Sequence, residues 1–536
     1  MGRIEANKSF IRALLKADPF EAYHFFLPHP DDVAYLEDRL REEFTELWDG
    51  GRFSVRLHRE VPKAFAERDY YCLHLSDPFS RYSEAMSLRN AYSRRIFPVT
   101  APTHSLSYGE FGAEFLKHIW PGATPRDVVV STSSAGCRVV ENYYAYLRAA
   151  YAVGQAPGVR HIPLGVEPSS FPAPEERDAL SRAVRQRLEL GDELIFLVFA
   201  RISYQSKMDL LPILRAFKRA EGLGLAPGSY HLVLAGWLDE ADNFGSDIQK
   251  LAVNLGIKCS LVPRPDDKTK KELYAAASVF LSPSDNLQET FGLTMLEAAV
   301  SGLPIIASDF DGYKDLVVNG ESGLLIPTYG PDETPGTDAA AVIVPASEYH
   351  LFLAQQCAVD VNEMGAAMAR LAADSVLRES MGRAGRERAL GYSWDNIVGR
   401  YLELWEELNN TPCDLDVPLP QRASQRVFHP LHPPYMYIFG DYFSAQLGAL
   451  EQAGREIVWT PAGEAVYRGK DFPVIYSLVE GRIDQDLLKK LLFMARKPMK
   501  ISTLRAELTT RESGLPEDRD FLILWALKQD FLELAR

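Results

Sequence analysis

The sequence predicts an α/β protein in which two consecutive domains contain parallel β-sheets and a smaller, mainly helical domain follows. Short, continuous apolar runs alternate with segments of helical periodicity through about residue 410. Such runs are typical of strands buried on both faces, and a strand–helix–strand order indicates a parallel sheet with right-handed crossovers. A proline-rich stretch at residues 411–434 then separates this part from the rest of the chain.

The alternation is clearest in the middle of the chain, where one Rossmann-like domain is expected over residues 166–392. The predicted strands are Ile195–Phe199, His231–Gly236, Ser260–Val262, Val279–Leu281 and Pro304–Ala307. Helical segments near 208–220, 240–256, 269–276 and 292–301 separate them. Open parallel sheets bind ligands outside the carboxyl ends of their strands, so the loops that follow these strands are the candidate site.

The first third repeats the pattern less clearly and predicts a second Rossmann-like domain over residues 1–165. Its candidate strands are Tyr23–Leu27, Phe53–Leu57, Tyr70–Leu75, Arg95–Val99 and Val128–Val130, and an exit strand and linker are expected at His161–Pro168. Two such domains facing each other would enclose a cleft.

The end of the chain is predicted to be helical. A helix at Trp394–Leu408, in the segment 393–410, closes the second domain, and the linker 411–434 leads to an accessory domain at 435–536. That domain ends in three predicted helices, and a winged-helix-like unit is one interpretation of them: Asp484–Ala495, Ser502–Leu508 and Glu517–Leu534. Residues 328–350 are expected to form an inserted loop.

Composition narrows the functional class. The net charge of −15 argues against nucleic-acid binding and against a general attraction to anionic membranes. The five cysteines are scattered, include no CxxC pair and show no metal-ligand spacing, so a reducing compartment is the simpler interpretation. The N-terminus lacks the apolar core of a signal peptide, and no run approaches the ~20 apolar residues that span a bilayer. A cytoplasmic protein is therefore expected.

Residues 282–297 are the most informative segment. The chain leaves an apolar strand, passes through a polar loop and starts a helix, with Glu289 and Glu297 on either side of that junction. The start of a helix presents unpaired N–H groups that suit a phosphate, and Gly292 lets the backbone approach a ligand closely. Two carboxylates beside a phosphate suit the paired hydroxyls of a sugar or a ribose. The segment indicates a nucleotide-sugar site.

These residues resemble those of a known family. The Glu289-x7-Glu297 motif, with Phe291-Gly292-Leu293 inside it, is similar to that of retaining glycosyltransferases of the GT-B fold, in particular glycosyltransferase family four (group 1 type). The resemblance continues at residues 196–207, 301–312 and 317–326. It implies two Rossmann-like domains, with the donor nucleotide-sugar bound to the second domain and the acceptor bound to the first.

The resemblance also implies roles for the acidic and basic residues. Glu289 would contact the donor sugar near the reacting centre, and Glu297 would hold the ribose hydroxyls. Arg201 and Lys207, just past a strand end, would neutralise the leaving pyrophosphate, with two ordinary surface charges as the alternative. With two cations in this role, no metal and no cofactor are expected beyond the UDP- or GDP-linked sugar substrate.

The start of the predicted helix at 292–301 supplies the remaining donor contacts. The N–H groups of Gly292, Leu293 and Thr294, next to Phe291, would cradle the phosphate or the sugar. A cap formed by Thr294 is an equally good interpretation of that residue.

Candidate residues of the first domain are fewer. His104 follows the strand Arg95–Val99, and the resemblance places it near the donor sugar, with a structural role as the alternative. Ser133 and Ser134 follow Val128–Val130 and are candidate acceptor contacts. Many family members have a Gly-Gly loop after the first strand, whereas Pro28-His-Pro-Asp-Asp-Val follows it here, which leaves the acceptor class open.

The sequence thus predicts a metal-independent, retaining hexosyltransferase whose acceptor hydroxyl is not identified. The alternative is a non-catalytic nucleotide-sugar sensor that signals through its C-terminal domain. The acidic last helix of that domain favours dimerisation or a protein partner over nucleic acid, despite a basic cluster at Arg496, Lys497, Lys500 and Arg505. The N-terminal helix suits packing better than membrane contact.

Overall fold

The computed structural model describes residues 2–172, 174–238, 244–476, 479, 482–508 and 516–535. By compactness the chain divides into two units, residues 1–431 and 432–536, and each is described by itself. Within the described ranges, every helix is too short or too polar to cross a membrane.

The first unit has an N-terminal half, which runs through the strand that ends at His161, and a C-terminal half, which follows it. The N-terminal half contains two parallel sheets. Strands β1 (Tyr23–Leu27) and β2 (Phe53–Leu57) form one, and β3 (Leu73–His74), β4 (Val99–Pro102), β5 (Asp127–Ser131) and β6 (Gly158–His161) form the other in sequence order. The helices of this half are Gly2–Ala17, Pro30–Glu43, Thr45–Asp49, Val61–Glu67, Tyr82–Tyr92, Phe111–His118 and Ser134–Tyr151. A cavity of about 910 Å³ lies between β1 and β3.

Three strand predictions in this half are wrong in their bounds. Within the predicted strand Tyr70–Leu75, only Leu73–His74 is strand, because one edge of this segment faces the cavity and has no neighbouring strand. The strand predicted at Arg95–Val99 begins at Val99, since Pro98 has no N–H to donate to a neighbour. The exit strand is Gly158–His161, and the residues predicted as strand after His161 form the linker.

A six-stranded parallel sheet organises the C-terminal half. Its strands are β7 (Leu194–Phe199), β8 (Tyr230–Gly236), β9 (Cys259–Pro263), β10 (Val279–Ser282), β11 (Ile305–Ser308) and β12 (Gly323–Ile326). They pair in the order β12-β11-β10-β7-β8-β9. The five strands predicted here from apolar runs are confirmed. Each predicted end either agrees with the observed end or differs from it by one residue.

Helices cover both faces of this sheet, which explains why its strands are apolar throughout. Phe196 and Val198 face one buried cluster, and Leu197 faces the other. The helices are Arg177–Arg187, Leu211–Gly222, Phe244–Asn254, Asp267–Ala276, Leu293–Val300, Tyr313–Leu316, Val361–Ala373 and Ser375–Leu390. A doubly covered parallel sheet of this kind confirms the predicted α/β class.

Two neighbouring segments connect the halves. The Val166 N–H donates to the Tyr392 carbonyl at 2.9 Å, and the Trp394 N–H donates to the Val166 carbonyl at 3.1 Å. The predicted closing helix is confirmed as Trp394–Asn410. It packs on the N-terminal half, where the Trp405 Nε1–H donates to the Thr100 hydroxyl at 3.0 Å.

Residues 328–350 are not the loop that the sequence predicted. Strand β13 (Thr328–Tyr329) pairs antiparallel with β14 (Ala358–Val359), and helices Pro335–Ala341 and Ala346–Ala354 lie between them. The second helix contacts the N-terminal half: the Gly109 N–H donates to the Tyr349 hydroxyl at 2.7 Å, and His350 Nε2 lies 3.0 Å from the Ser107 carbonyl oxygen. Tyr349 and His350 are buried in this contact, which together with the β13–β14 pairing holds the segment in place.

The second unit is mainly helical, with a small antiparallel sheet. Strand β15 (Glu456–Trp459) lies between β16 (Met499–Lys500) and β17 (Leu532–Leu534). The helices are Tyr435–Phe439, Leu447–Gln452, Pro461–Tyr467, Gln485–Met494, Ile501–Glu507 and Pro516–Lys528. The helix predicted at Glu517–Leu534 is too long: it ends at Lys528, Asp530 turns the chain with a left-handed φ of +58°, and β17 follows.

Candidate functional site

Three loops at the carboxyl edge of the six-stranded sheet carry the candidate site. Residues 200–209 follow β7, residues 283–292 follow β10, and residues 309–312 follow β11. Since these three strands are neighbours in a parallel sheet, their carboxyl ends meet at one edge. The fold therefore brings together Lys207 and Glu289, which are far apart in the sequence.

Lys207, Glu289 and Tyr313 form the centre of the site. Lys207 Nζ donates to Glu289 Oε2 in a short ion pair. The Tyr313 hydroxyl donates to the same oxygen at 3.1 Å, accepts from Nζ at 3.2 Å and lies 2.8 Å from the hydroxyl of Ser282. The Lys207 and Glu289 side chains are 16% and 12% exposed, so the pair is shielded from bulk water and still open to a ligand.

The environment of Lys207 combines opposing effects. Burial lowers the pKa of its ammonium to about 7, the Arg201 guanidinium acts in the same direction, and the Asp311 carboxylate acts against them. The Glu289 carboxylate in direct contact favours the charged ammonium. An anionic ligand that took the place of Glu289 would preserve that charge.

Buried polar residues of the loop after β10 hold the loop after β7 in place. The Ser284 hydroxyl donates to the Lys207 carbonyl at 3.0 Å, and the Asn286 amide donates to the Gln205 carbonyl at 2.9 Å. The Asp285 carboxylate accepts the Asp209 N–H at 3.2 Å. Burial raises the pKa of Asp285 to about 7. These polar side chains fix the position of Lys207 against Glu289.

Glu289 is fixed by its own turn as well as by Lys207. Its Oε1 accepts the N–H groups of Thr290 at 3.2 Å and Phe291 at 3.4 Å. Gly292 follows as the N-cap of helix Leu293–Val300, with φ +99° and ψ +52°. A Cβ at this position would lie 2.6 Å from the Tyr313 ring, so the turn requires glycine for its backbone conformation and for its close packing.

The remaining residues at this helix start occupy different environments. Phe291 is buried in the apolar core, whereas Leu293 and Thr294 are half-buried. The first N–H groups of the helix have no partner within it and are directed at its N-terminal end. Because Gly292 is the cap and no side chain caps the helix, the alternative of a Thr294 cap is wrong.

Glu297 lies on the same helix but pairs with different partners. Its Oε1 accepts from Lys270 Nζ at 2.6 Å, and its Oε2 accepts from the Tyr274 hydroxyl at 2.9 Å. The residue is 7% exposed, and the Lys270 ammonium also lies 5.5 Å from the centre of the Phe199 ring. The carboxylate is therefore held in one orientation by its two partners.

Arg201 is the exposed cation of the site. It lies on the loop after β7, where its Nη1 donates to the Ser206 hydroxyl at 3.1 Å. Its guanidinium is close enough to Lys207 to lower the pKa of that residue. The two predicted cations thus lie on one loop, one of them paired with Glu289 and the other accessible to a ligand.

The N-terminal half contributes residues at the ends of β4 and β5. His104 Nε2 lies 3.1 Å from the Ser76 carbonyl oxygen, and the described contacts of Glu289 do not include it. Ser133 caps helix Ser134–Tyr151 and lies 3.4 Å from Asp311. The Ser134 hydroxyl donates to Asp315 at 2.6 Å. The two serines thus contact the C-terminal half.

Sequence reasoning missed several residues that fix the predicted ones. Tyr313, Tyr274 and Lys270 contact Glu289 or Glu297 from other elements. No local sequence motif identifies these three residues. Their position along the chain is the one indication: Tyr313 begins the helix that follows β11, and Lys270 and Tyr274 lie on the helix that precedes β10. Among the described residues, no three His, Cys, Asp or Glu side chains are grouped so that they could hold a metal ion.

Comparisons with known proteins show which family this site is similar to. Residues 181–334 match the family described as glycosyl transferases group 1. D-inositol 3-phosphate glycosyltransferase from Corynebacterium urealyticum is 30% identical over 168 residues, which are 31% of this chain and 32% of that protein. Phosphatidyl-myo-inositol mannosyltransferase from Mycobacterium tuberculosis is 23% identical over 369 residues, which are 68% of this chain and 81% of that protein.

A solved structure is also similar. Sucrose-phosphate synthase from Thermosynechococcus elongatus has 21% sequence identity and a TM-score of 0.42, over 69% of this chain and 79% of that one.

The chain spans about a third of the length of the Corynebacterium urealyticum glycosyltransferase. The matched residues 181–334 include Lys207, Glu289, Glu297 and Tyr313. Residues 181–334 are therefore similar to the glycosyl transferases group 1 family.

Proposed function

We propose that this chain is a retaining glycosyltransferase that moves a hexose from a nucleotide-diphospho-sugar to an acceptor hydroxyl without a metal ion. The observation that carries the proposal is the shielded Lys207–Glu289 pair at the carboxyl edge of the sheet, within the group 1 domain. A cation and a carboxylate held side by side there suit a substrate with an anionic part next to a hydroxyl-rich part.

Lys207 and Arg201 would bind the diphosphate. A nucleoside diphosphate gains negative charge as it leaves, and a positioned donor typically lowers such a barrier by about 3 kcal/mol. Arg201 supplies an exposed guanidinium on the same loop as Lys207. When the diphosphate takes the Lys207 ammonium, Glu289 loses its ion-pair partner and becomes available to the sugar hydroxyls.

Glu289 would orient the sugar and stabilise positive charge at the anomeric carbon; it would not act as a nucleophile. The acceptor attacks on the face from which the nucleotide leaves, and the departing phosphate takes the acceptor's proton. Glu297 retains acceptor lone pairs beyond those used by Lys270 and Tyr274, which suits the ribose hydroxyls.

The acceptor would bind at the N-terminal half. The hydroxyl oxygens of Ser105, Ser107 and Thr132 are buried there, near the carboxyl ends of β4 and β5, and have no hydrogen-bond partner among the described residues. Buried polar groups of this kind are normally satisfied, so they favour a polar ligand with hydroxyl groups. The relatives named for inositol phosphate and phosphatidylinositol make inositol phosphates the first acceptors to try.

A binding screen tests the donor site first. UDP, GDP and their glucose and mannose derivatives should raise the melting temperature of the wild type, because a ligand that binds only the folded state stabilises it. If none of these compounds raises it, the nucleotide-sugar site is refuted.

Turnover then separates an enzyme from a sensor. Release of UDP or GDP in the presence of inositol 3-phosphate or a broader acceptor set supports the transferase. Glu289→Gln keeps the size of the side chain and removes its charge, so we expect it to bind the free nucleoside diphosphate and to lose turnover. Binding by the wild type with no release for any acceptor or for water would favour the non-catalytic sensor.

A further inference from the structure

Asp311 occupies a backbone position that suits glycine. Its φ is +45°, in the left-handed region that residues with a Cβ seldom adopt. Aspartate tolerates this conformation better than most side chains, yet glycine adopts it without strain. An unfavourable backbone conformation that persists next to a ligand site points to a use for the side chain.

The turn that carries Asp311 is wedged between the donor site and the N-terminal half. A Cβ on the neighbouring Gly312 would lie 2.5 Å from the Thr290 carbonyl oxygen and 3.0 Å from the Cβ of Ser133. The Ser133 hydroxyl donates to Asp311 Oδ1 at 3.4 Å. Asp311 is therefore close both to the Glu289 loop and to the opposite half of the unit.

The carboxylate of Asp311 acts on the donor site electrostatically. It raises the pKa of the Lys207 ammonium against the effect of burial. Burial raises the pKa of Asp311 itself to about 7, and the long hydrogen bond from Ser133, the Gly312 backbone N–H and the charge of Lys314 compensate only in part. The carboxylate thus has unused capacity to accept hydrogen bonds from a ligand.

The negative charge of Asp311 determines which part of the donor molecule this side chain can contact. A carboxylate repels the diphosphate, which carries charge of the same sign. The uncharged hexose has only hydroxyl groups to offer, and these donate readily to a carboxylate. The hexose must also lie between the two halves if an acceptor on the other half is to reach it.

We propose that the Asp311 carboxylate binds a hydroxyl group of the donor hexose at the boundary between the two halves. The inference rests on the proposed nucleotide-sugar site and adds a residue that binds the sugar and does not bind the nucleotide. It predicts that Asp311 contributes to the affinity for a sugar nucleotide and makes little net contribution to the affinity for the corresponding nucleoside diphosphate.

Calorimetric titration of the full chain tests this separation. The titrants are UDP, UDP-glucose, GDP and GDP-mannose, and the proteins are the wild type, Asp311→Asn, Asp311→Gly and the control Asp309→Asn. Asp309 lies on the same turn, is exposed and is 3.8 Å from Lys314, so it supplies a matched loss of charge at a side chain that faces solvent.

For the sugar nucleotide that the wild type binds more tightly, both Asp311 variants should raise the Kd about tenfold, as expected when a hydrogen bond to a charged group is lost. The Kd of the matching nucleoside diphosphate should stay within about twofold, because each variant removes a charge that repels the diphosphate and also the support which that charge gives to the Lys207 ammonium. Asp309→Asn should change neither value. Asp311→Gly should melt at or above the wild-type temperature because glycine relieves the left-handed backbone, which excludes unfolding as the cause.

Two results would overturn the inference. If the variants leave the Kd of the sugar nucleotide unchanged, Asp311 does not bind the sugar. The same conclusion follows if they raise the Kd of the sugar nucleotide and the Kd of the nucleoside diphosphate by the same factor. If the wild type binds none of the four compounds, the proposed function fails, and the inference fails with it.

Discussion

The two halves of the first unit share a parallel-sheet plan but differ in how completely they are closed. In the C-terminal half, six strands form one sheet, and Leu197 in its middle is fully buried. In the N-terminal half, six strands form two sheets, and a cavity of about 910 Å³ separates β1 from β3. We infer that the half with the proposed donor site is pre-organised, whereas the other half has room and polar groups for a ligand.

The polar residues that follow the carboxyl ends of the strands show the same contrast between the two halves. Ser284 and Asn286 each bond to a backbone carbonyl of the loop that carries Lys207. In the part of the chain that the structure describes, the buried hydroxyl oxygens of Ser105, Ser107 and Thr132 have no hydrogen-bond partner. Satisfied networks make a structure rigid, and unsatisfied groups are retained where a ligand or water completes them.

The largest effect is expected for Lys207→Ala. Loss of the cation should reduce the rate of nucleoside diphosphate release from a sugar nucleotide about 100-fold to 1,000-fold, as for other lost donors at developing negative charge. It also leaves Glu289 buried without its partner, so the melting temperature should fall. Steady-state kinetics and thermal melts measure the two effects.

Lys218→Ala is the matched control for that variant. Lys218 lies on the surface of helix Leu211–Gly222 and pairs with Glu221, away from the loops of the site. We expect it to retain the wild-type rate, because exposed ion pairs contribute little. Equal rates for Lys207→Ala and the wild type would remove Lys207 from the diphosphate site and break the contrast between the halves.

One leucine-to-alanine substitution in each half measures how tightly that half is packed. Leu197→Ala in β7 should lower the free energy of unfolding by about 2–5 kcal/mol, since the core around it is filled on all sides. Leu73→Ala in β3 should cost about 1–2 kcal/mol, because this side chain is only partly buried and borders the cavity. Urea titration gives both values. Equal losses would show that the N-terminal half is packed as tightly as the other.

Gly292→Ala tests how far the close packing around Glu289 extends. The substituted residue would keep an unfavourable φ and would clash with the Tyr313 ring, so a loss of about 2 kcal/mol in unfolding free energy is expected, with reduced turnover. Gly256→Ala is the control: its φ is +72° and a Cβ there meets nothing within 4 Å. A loss no greater than that of the control would mean that the contact with Tyr313 is unimportant.

The sequence sufficed for the C-terminal sheet and for the loops of the site because both depend on local patterns. Continuous apolar runs mark β7 and β10, and the polar residues that follow them had to lie at the carboxyl edge. Lys207 and Glu289 could therefore be assigned to one site before their contact was seen. Their bonding to each other was not predicted, since it depends on the order in which the strands pair.

Tertiary contacts account for what the sequence did not reveal. Residues 328–350 have a loop-like composition, and their structure depends on the pairing of β13 with β14 and on the contact of Tyr349 and His350 with the other half. Glu297 was predicted to hold the ribose hydroxyls, but its partner Lys270, which comes from another helix, was not predicted. Tyr313 follows Glu289 by 24 positions, in a separate turn, and no local motif connects the two.

The smallest effect is expected for Tyr313→Phe, which removes one hydroxyl and leaves the ring. That hydroxyl connects Lys207, Glu289 and Ser282, so its loss should cost about 1 kcal/mol of stability and reduce turnover about fivefold by loosening the ion pair. Tyr230→Phe is a close control, since the buried Tyr230 hydroxyl also donates to a carboxylate, that of Glu221, at 2.9 Å. Both variants should lose similar stability in urea titration, and only Tyr313→Phe should lose activity. If the two variants lose activity equally, Tyr313 stabilises the fold and does not position Glu289, and the pre-organisation of the donor half would depend on the loops after β7 and β10 alone.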